Sequence, residues 1–156
     1  MKTILVPVDF SDVTLKVVKA AVHLAKPFHC KIILMHAIAV GPSLMGMGGG
    51  PDAIPLTPAQ QLADPPDYTE RLAHLQAMIA AVGLESTTVE LEGFTVDLIL
   101  SQAESARVDL IVLGSHSRSP ISHLLLGSVA DGVLRRARCP VLIVPLTDGG
   151  SQPSFF

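Results

Sequence analysis

The chain has 156 residues, a net charge of −3, only 16% charged side chains and a mean hydropathy of +0.49. Those values suit one domain with a substantial core and exclude a disordered chain. They also exclude a nucleic-acid surface, because there is no basic field for phosphates and, at 4% aromatic residues, too few rings to stack bases.

No apolar run approaches the ~20 residues that a membrane span needs. Met1–Val6 lead straight into a strand pattern, without the charged stretch, apolar block and small-residue cleavage site of a signal peptide. Cys30 and Cys139 are far apart and form no CxxC pair. These features predict a cytoplasmic protein with two reduced, mostly buried thiols.

In chain order, Ile4–Val8 is the first strand. Ser11 is the expected N-cap of a helix in which Lys16, Lys19, His23 and Lys26 form one solvated stripe, and Pro27 stops it. Ile32–Ile38 is the second strand. Residues 41–66 are rich in Gly and Pro without a stable period and read as a flexible insertion. Asp67 and Glu70 then have capping-box spacing, ahead of an apolar face of Tyr68, Leu72, Leu75, Ile79 and Val82, with Gly83 at the C-terminal cap. Thr87–Leu91 alternates, as an edge strand does.

Thr95 opens the third helix, with Ile99, Ala103 and Ala106 inward and Asp97, Ser101 and Glu104 outward. Asp109–Leu113 is a fourth strand, and Gly127–Ser128 open the last helix, whose Val129, Val133 and Ala137 face in while Asp131 and Arg135 pair at i,i+4. Val141–Val144, after Cys139–Pro140, is the final strand, and 147–156 reads as a flexible tail. Residues 1–146 thus form one domain with strands and helices in strict alternation. That pattern predicts an α/β fold, a doubly wound five-stranded parallel sheet with helices on both faces. Ligands in such sheets bind beyond the carboxyl ends of the strands, where the strand order reverses.

Two constellations fall at strand ends. Gly114–Ser115–His116–Ser117 follow the fourth strand, and Gly127–Ser128 come after nine intervening residues at a helix start. Free N–H groups at a helix N-terminus form a phosphate cradle, to which Ser117, Arg118 and Ser128 can add contacts, and Gly114 permits close approach to the backbone. An ordinary strand–loop–helix connection with a serine cap accounts for the same residues. Pro7–Val8–Asp9–Phe10–Ser11 end the first strand. There Asp9 can accept hydrogen bonds from ribose hydroxyls or an adenine amino group and Val8 can offer backbone groups to a base. Alternatively, Asp9 and Ser11 only cap the first helix.

PVDFS near the start, LMHAI in the second strand, and DLIVLGSHSRS…LLLGSVADGVLRRARCPVLIVP near the end resemble the universal stress protein family over nearly the whole chain. The resemblance implies a sheet of order 3-2-1-4-5, the Rossmann-like adenine nucleotide hydrolase-like fold, and a homodimer formed through the last strand, Val141–Val144. It also implies a subclass that binds ATP or AMP, with Mg²⁺ or Mn²⁺ entering only through the phosphates, and a second subclass that acts as a nucleotide-independent interaction module. By match, the nucleotide contacts are Val8 and Asp9 for the nucleoside and Ala37 for the base. Gly114, His116, Gly127, Ser128 and Val129 serve the phosphates and ribose, and Pro7, Leu113 and Ser117 complete the set. Ser117 stands where the binding subclass has its second glycine, which adds a Cβ and a hydroxyl beside the phosphates.

Other signals carry less. Gly46–Met47–Gly48–Gly49–Gly50 lacks the Lys–Ser/Thr ending of a P-loop. The six histidines form no metal set, and His36, inside a strand, reads as a structural residue. Ser117 and Ser128 have no activating base assigned by the sequence. The expected protein is therefore a stress-response module, not an enzyme, with slow ATP hydrolysis as the only turnover left open.

Overall fold

The computed structural model describes residues 1–39, 68–115 and 127–145. The elements in order are β1 (Thr3–Pro7), α1 (Thr14–Ala25), β2 (Lys31–Ala39), α2 (Tyr68–Ala80), β3 (Ser86–Gly93), α3 (Thr95–Ser105), β4 (Leu110–Ser115), α4 (Ser128–Arg136) and β5 (Val141–Pro145). The five strands form one parallel sheet of order β3-β2-β1-β4-β5. The strand order reverses between β1 and β4: β1 leads outward to β2 on one side, and β4 leads outward to β5 on the other. The expected insertion at 41–66, the Asp67 cap, His116, Ser117 and the tail at 147–156 lie outside the described residues.

The alternation of side chains along the strands sorts the core into two layers. Ile4, Val6, Ile32, Leu34 and Val112 pack against Val13, Val17, Val18, Ala21 and Ala25 of the first helical stretch and Leu72, Leu75 and Ile79 of α2. On the other face, Leu5, Ile33, Met35, Ile111 and Leu113 meet Ile99 and Ala103 of α3 and Val133 of α4. Central strands buried on both sides explain their unbroken apolar runs, whereas β3 at one edge alternates in burial. Both cysteines are free thiols; Cys30 is buried and Cys139 half-buried. Burial raises the Cys139 thiol above its ordinary pKa, with the Asp109 carboxylate adding to the effect.

Three local expectations are corrected. Ser11 is not the N-cap of α1: the cap position belongs to Val13, which makes no side-chain cap bond. The Ser11 hydroxyl is instead donated to Asp9 Oδ1 at 2.6 Å, and its carbonyl receives the Thr14 N–H at 3.0 Å. Ser11 lies two residues before the cap position, and its hydroxyl makes a charge-assisted bond to the neighbouring carboxylate. Pro27 does not end the winding at once, because Lys26–Phe28 add a 3-10 turn before His29 reverses the chain at φ 49°. Val82 is 43% exposed and not part of the apolar face of α2. Gly83, at φ 79°, turns the chain so that Leu84 takes the inward place, with Leu84 N–H donating to Ile79 O and Gly83 N–H to Ala80 O.

Candidate functional site

β1 and β4 pair in the register Ile4↔Leu110 and Leu5↔Ile111, which brings Pro7–Asp9 and Leu113–Ser115 to the same end of the sheet. β2 pairs with β1 as far as Pro7↔Met35 and runs on through Ala37. α4 returns from β4 to the start of β5, so its N-terminus, Gly127–Ser128, belongs to that end as well. The fold therefore brings Pro7, Val8, Asp9, Ala37, Leu113, Gly114, Gly127, Ser128 and Val129 to the carboxyl end of the sheet, around the point where the strand order reverses.

Asp9 is exposed and held in one orientation. Its Oδ1 accepts from the Ser11 N–H at 3.0 Å, the Ser11 hydroxyl at 2.6 Å and the Thr14 hydroxyl at 3.4 Å. None of these three bonds comes from an amide N–H of α1, so they are not the helix cap expected of Asp9 with Ser11; they fix the carboxylate at the carboxyl end of β1. Val8 is buried, and both of its backbone groups have partners inside the fold. Its N–H donates to Met35 O at 2.8 Å, and its carbonyl accepts from His36 Nδ1 at 2.9 Å. Val8 therefore carries Asp9 into place, and the backbone groups expected to meet a base are already engaged.

Gly114 has a structural reason of its own. A Cβ built there would stand 2.6 Å from Val13 Cγ1 and 3.2 Å from Val17 Cγ2, so the bare backbone lets α1 close onto β4. Leu113 points into the opposite layer and is buried, and Ala37 is half-buried against that layer. At the start of α4, the cap residue Gly127 has φ −58° and ψ 156° and no side chain of its own to cap the helix. The amide N–H groups of a helix's first turn carry the partial positive charge that an anion meets. Asp131, in that same turn, is held by Arg135 at 2.8 Å, which lowers its carboxyl below the ordinary range and offsets its charge.

A group that sequence reasoning missed lies directly behind Asp9. Phe10 stands in left-handed backbone at φ 57°, and its ring is 4.9 Å from His36 and 5.6 Å from Tyr68 in a stacked pair. His36 and Tyr68 are 4.2 Å apart, and the Arg71 guanidinium lies 4.3 Å above the Phe10 ring while donating to Phe10 O. These residues come from the connection after β1, from β2 and from α2, and no local pattern links them. The histidine within a β-run was the one visible signal.

Elsewhere, a cavity of about 570 Å³ opens at the opposite end of β4, lined by Glu104, Arg107, Arg136, Arg138 and Cys139 among others. Arg136 pairs with Asp97 and Arg138 with Glu104, and none of the nucleotide-site candidates reaches it. Among the described residues no three His, Cys, Asp or Glu side chains gather as a metal shell, and no helix is long and apolar enough to cross a membrane.

The universal stress protein family model matches residues 1–145. The chain belongs to this family. Universal stress protein MJ0531 of Methanocaldococcus jannaschii is 32% identical over 146 residues, covering 92% of this chain and 81% of the relative. The solved structure of protein MJ0577 shares the fold, with a TM-score of 0.71 at 22% identity over 95% of this chain and 98% of that one. A universal stress protein solved in complex with cAMP is 26% identical, with a TM-score of 0.65 over 92% of this chain and 95% of its own. The expected strand order and family thus hold for this universal stress protein.

Proposed function

We propose that this universal stress protein is a regulatory module that binds an adenine nucleotide, ATP or AMP, at the carboxyl ends of β1 and β4. The observation that carries the reading is the meeting of two opposite chemistries at one switch point. Asp9 is a fixed carboxylate suited to ribose hydroxyls, and the N-terminus of α4, opened by Gly127, is suited to phosphate. The cAMP complex of a relative supports the same ligand class. Gly127, Ser128 and Val129 would hold the phosphates, Ala37 would flank the base, and Mg²⁺ or Mn²⁺ would arrive with the phosphates. His116 and Ser117 extend the proposed set beyond the described residues. The proposed role is binding without turnover.

We further propose that the protein works as a cytoplasmic homodimer. β5 is an edge strand with Leu142 exposed, and pairing with a second copy would cover that edge.

Thermal unfolding with and without ATP tests the nucleotide reading. At ATP about 100 times its Kd, binding adds ~2.7 kcal/mol of stability, enough to raise Tm by several degrees. The wild-type protein should show that rise and Gly127→Val should not. Gly127 sits at a φ open to any residue, so the substitution blocks approach to the helix end without straining the backbone. Equal shifts in both proteins, or none in either, would refute the site.

A further inference from the structure

We propose that His36 is the positioning residue of Asp9. His36 touches the residues on both sides of Asp9: it hydrogen-bonds Val8 through Nδ1 at 2.9 Å, and its ring lies 4.9 Å from that of Phe10. A carbonyl only accepts, so Nδ1 carries the proton and donates. The histidine is buried, and so is the hydrogen bond. Removing the donor would leave the Val8 carbonyl unpaired in a dry setting, which a short rearrangement of the chain end relieves by turning it toward water. Asp9 is the next residue and would move with it.

The second contact bears on backbone strain. Phe10 is a bulky residue at φ 57°, a conformation that persists only where its surroundings impose it. The His36 and Tyr68 rings and the Arg71 guanidinium supply that restraint from three directions. The left-handed turn at Phe10 is what brings the Ser11 N–H back to Asp9 Oδ1 at 3.0 Å. The hydrogen bond to Val8 is therefore the contact through which His36 holds the carboxylate, because the restraint on Phe10 is shared with Tyr68 and Arg71, which persist when the His36 ring is lost. Its consequence for ligand affinity rests on the nucleotide reading, but the positioning itself does not.

Two substitutions separate the contacts. His36→Asn keeps a donor at the same number of bonds from the backbone as Nδ1, and His36→Phe keeps a ring without a donor. Both are measured at a temperature where circular dichroism shows each variant fully folded. In ligand-free protein, amide hydrogen exchange at Ser11 reports whether the Asp9 turn is intact. It should rise about tenfold in His36→Phe, and His36→Asn should stay within about threefold of wild type. ATP affinity should weaken in the same order, by roughly tenfold for His36→Phe.

A purely structural role would lower global stability in both variants without separating them at Ser11. Equal exchange in the two variants therefore overturns the proposal. If exchange follows the expected order and wild-type protein binds no ATP, the nucleotide reading falls and the positioning of Asp9 by His36 stands.

Discussion

Single residues at this site serve packing and presentation together. Gly114 was legible as a strand-end glycine, but its stringency comes from α1: the added methyl of Gly114→Ala would meet Val13 at 2.6 Å. Valine is stiff at χ1 and cannot swing away, so the variant should lose ~1–3 kcal/mol through overpacking. Urea denaturation would measure it, and an unchanged midpoint would contradict the packing. Asp109 acts at the other end of the sheet, where its Oδ2 accepts the N–H groups of Lys2 at 2.6 Å and Thr3 at 2.9 Å. Those bonds hold its carboxyl below the ordinary range. A depressed folded-state pKa contributes stability above the unfolded value and loses it as pH falls through the folded one. Asp109→Asn should therefore be less stable than wild type at pH 7, with the gap narrowing as pH falls below the unfolded aspartate value of about 3.9. Parallel denaturation curves above and below that value check the sign. The Asp9 carboxylate was legible because PVDFS places an acid at a strand end. The clamp of His36, Phe10, Tyr68 and Arg71 was not, since it depends on the β1–β2 register and on α2, both remote in sequence.

Elements were easier to read than their ends. Uninterrupted apolar runs identified the buried strands, and alternation identified β3 as an edge, because burial on two faces or one leaves those signatures. Helix starts were less legible: Ser11 has the right chemistry for a cap, yet α1 begins only at Thr14, with Val13 in the cap position. Gly83 was recognised at the end of α2, while the inward turn of Leu84 beyond it required the three-dimensional path. At this scale β5 makes a direct prediction. If its open edge pairs with a second copy, Leu142→Lys should convert the protein to a monomer in sedimentation velocity while leaving its circular dichroism unchanged. A wild-type monomer, or a dimer that survives the substitution, would contradict edge pairing. In α2, Ile79 is fully buried, and Ile79→Ala should cost ~2–5 kcal/mol of stability, read by thermal or urea unfolding.

For the whole molecule, the sheet is the device that turns scattered residues into one site. Order β3-β2-β1-β4-β5 makes β1 and β4 neighbours although most of the chain lies between them, and it separates their outgoing connections to opposite sides. Two core layers lock that arrangement, one beneath α1 and α2 and one beneath α3 and α4. The strand–helix alternation made this architecture readable, and the match to the universal stress protein family over residues 1–145 agrees with it. Chemistry is less readable than architecture because a strand-end glycine or acid satisfies the fold and a ligand with the same atoms.

Titration of nucleotide-stripped protein with ATP, followed by backbone amide NMR, tests the central claim most directly. The account predicts saturable shifts at Val8–Phe10, Ala37, Gly114–Ser115 and Gly127–Val129, lost in Gly127→Val. No saturable shifts, or shifts confined to the arginine-lined cavity at the opposite end of β4, would contradict it.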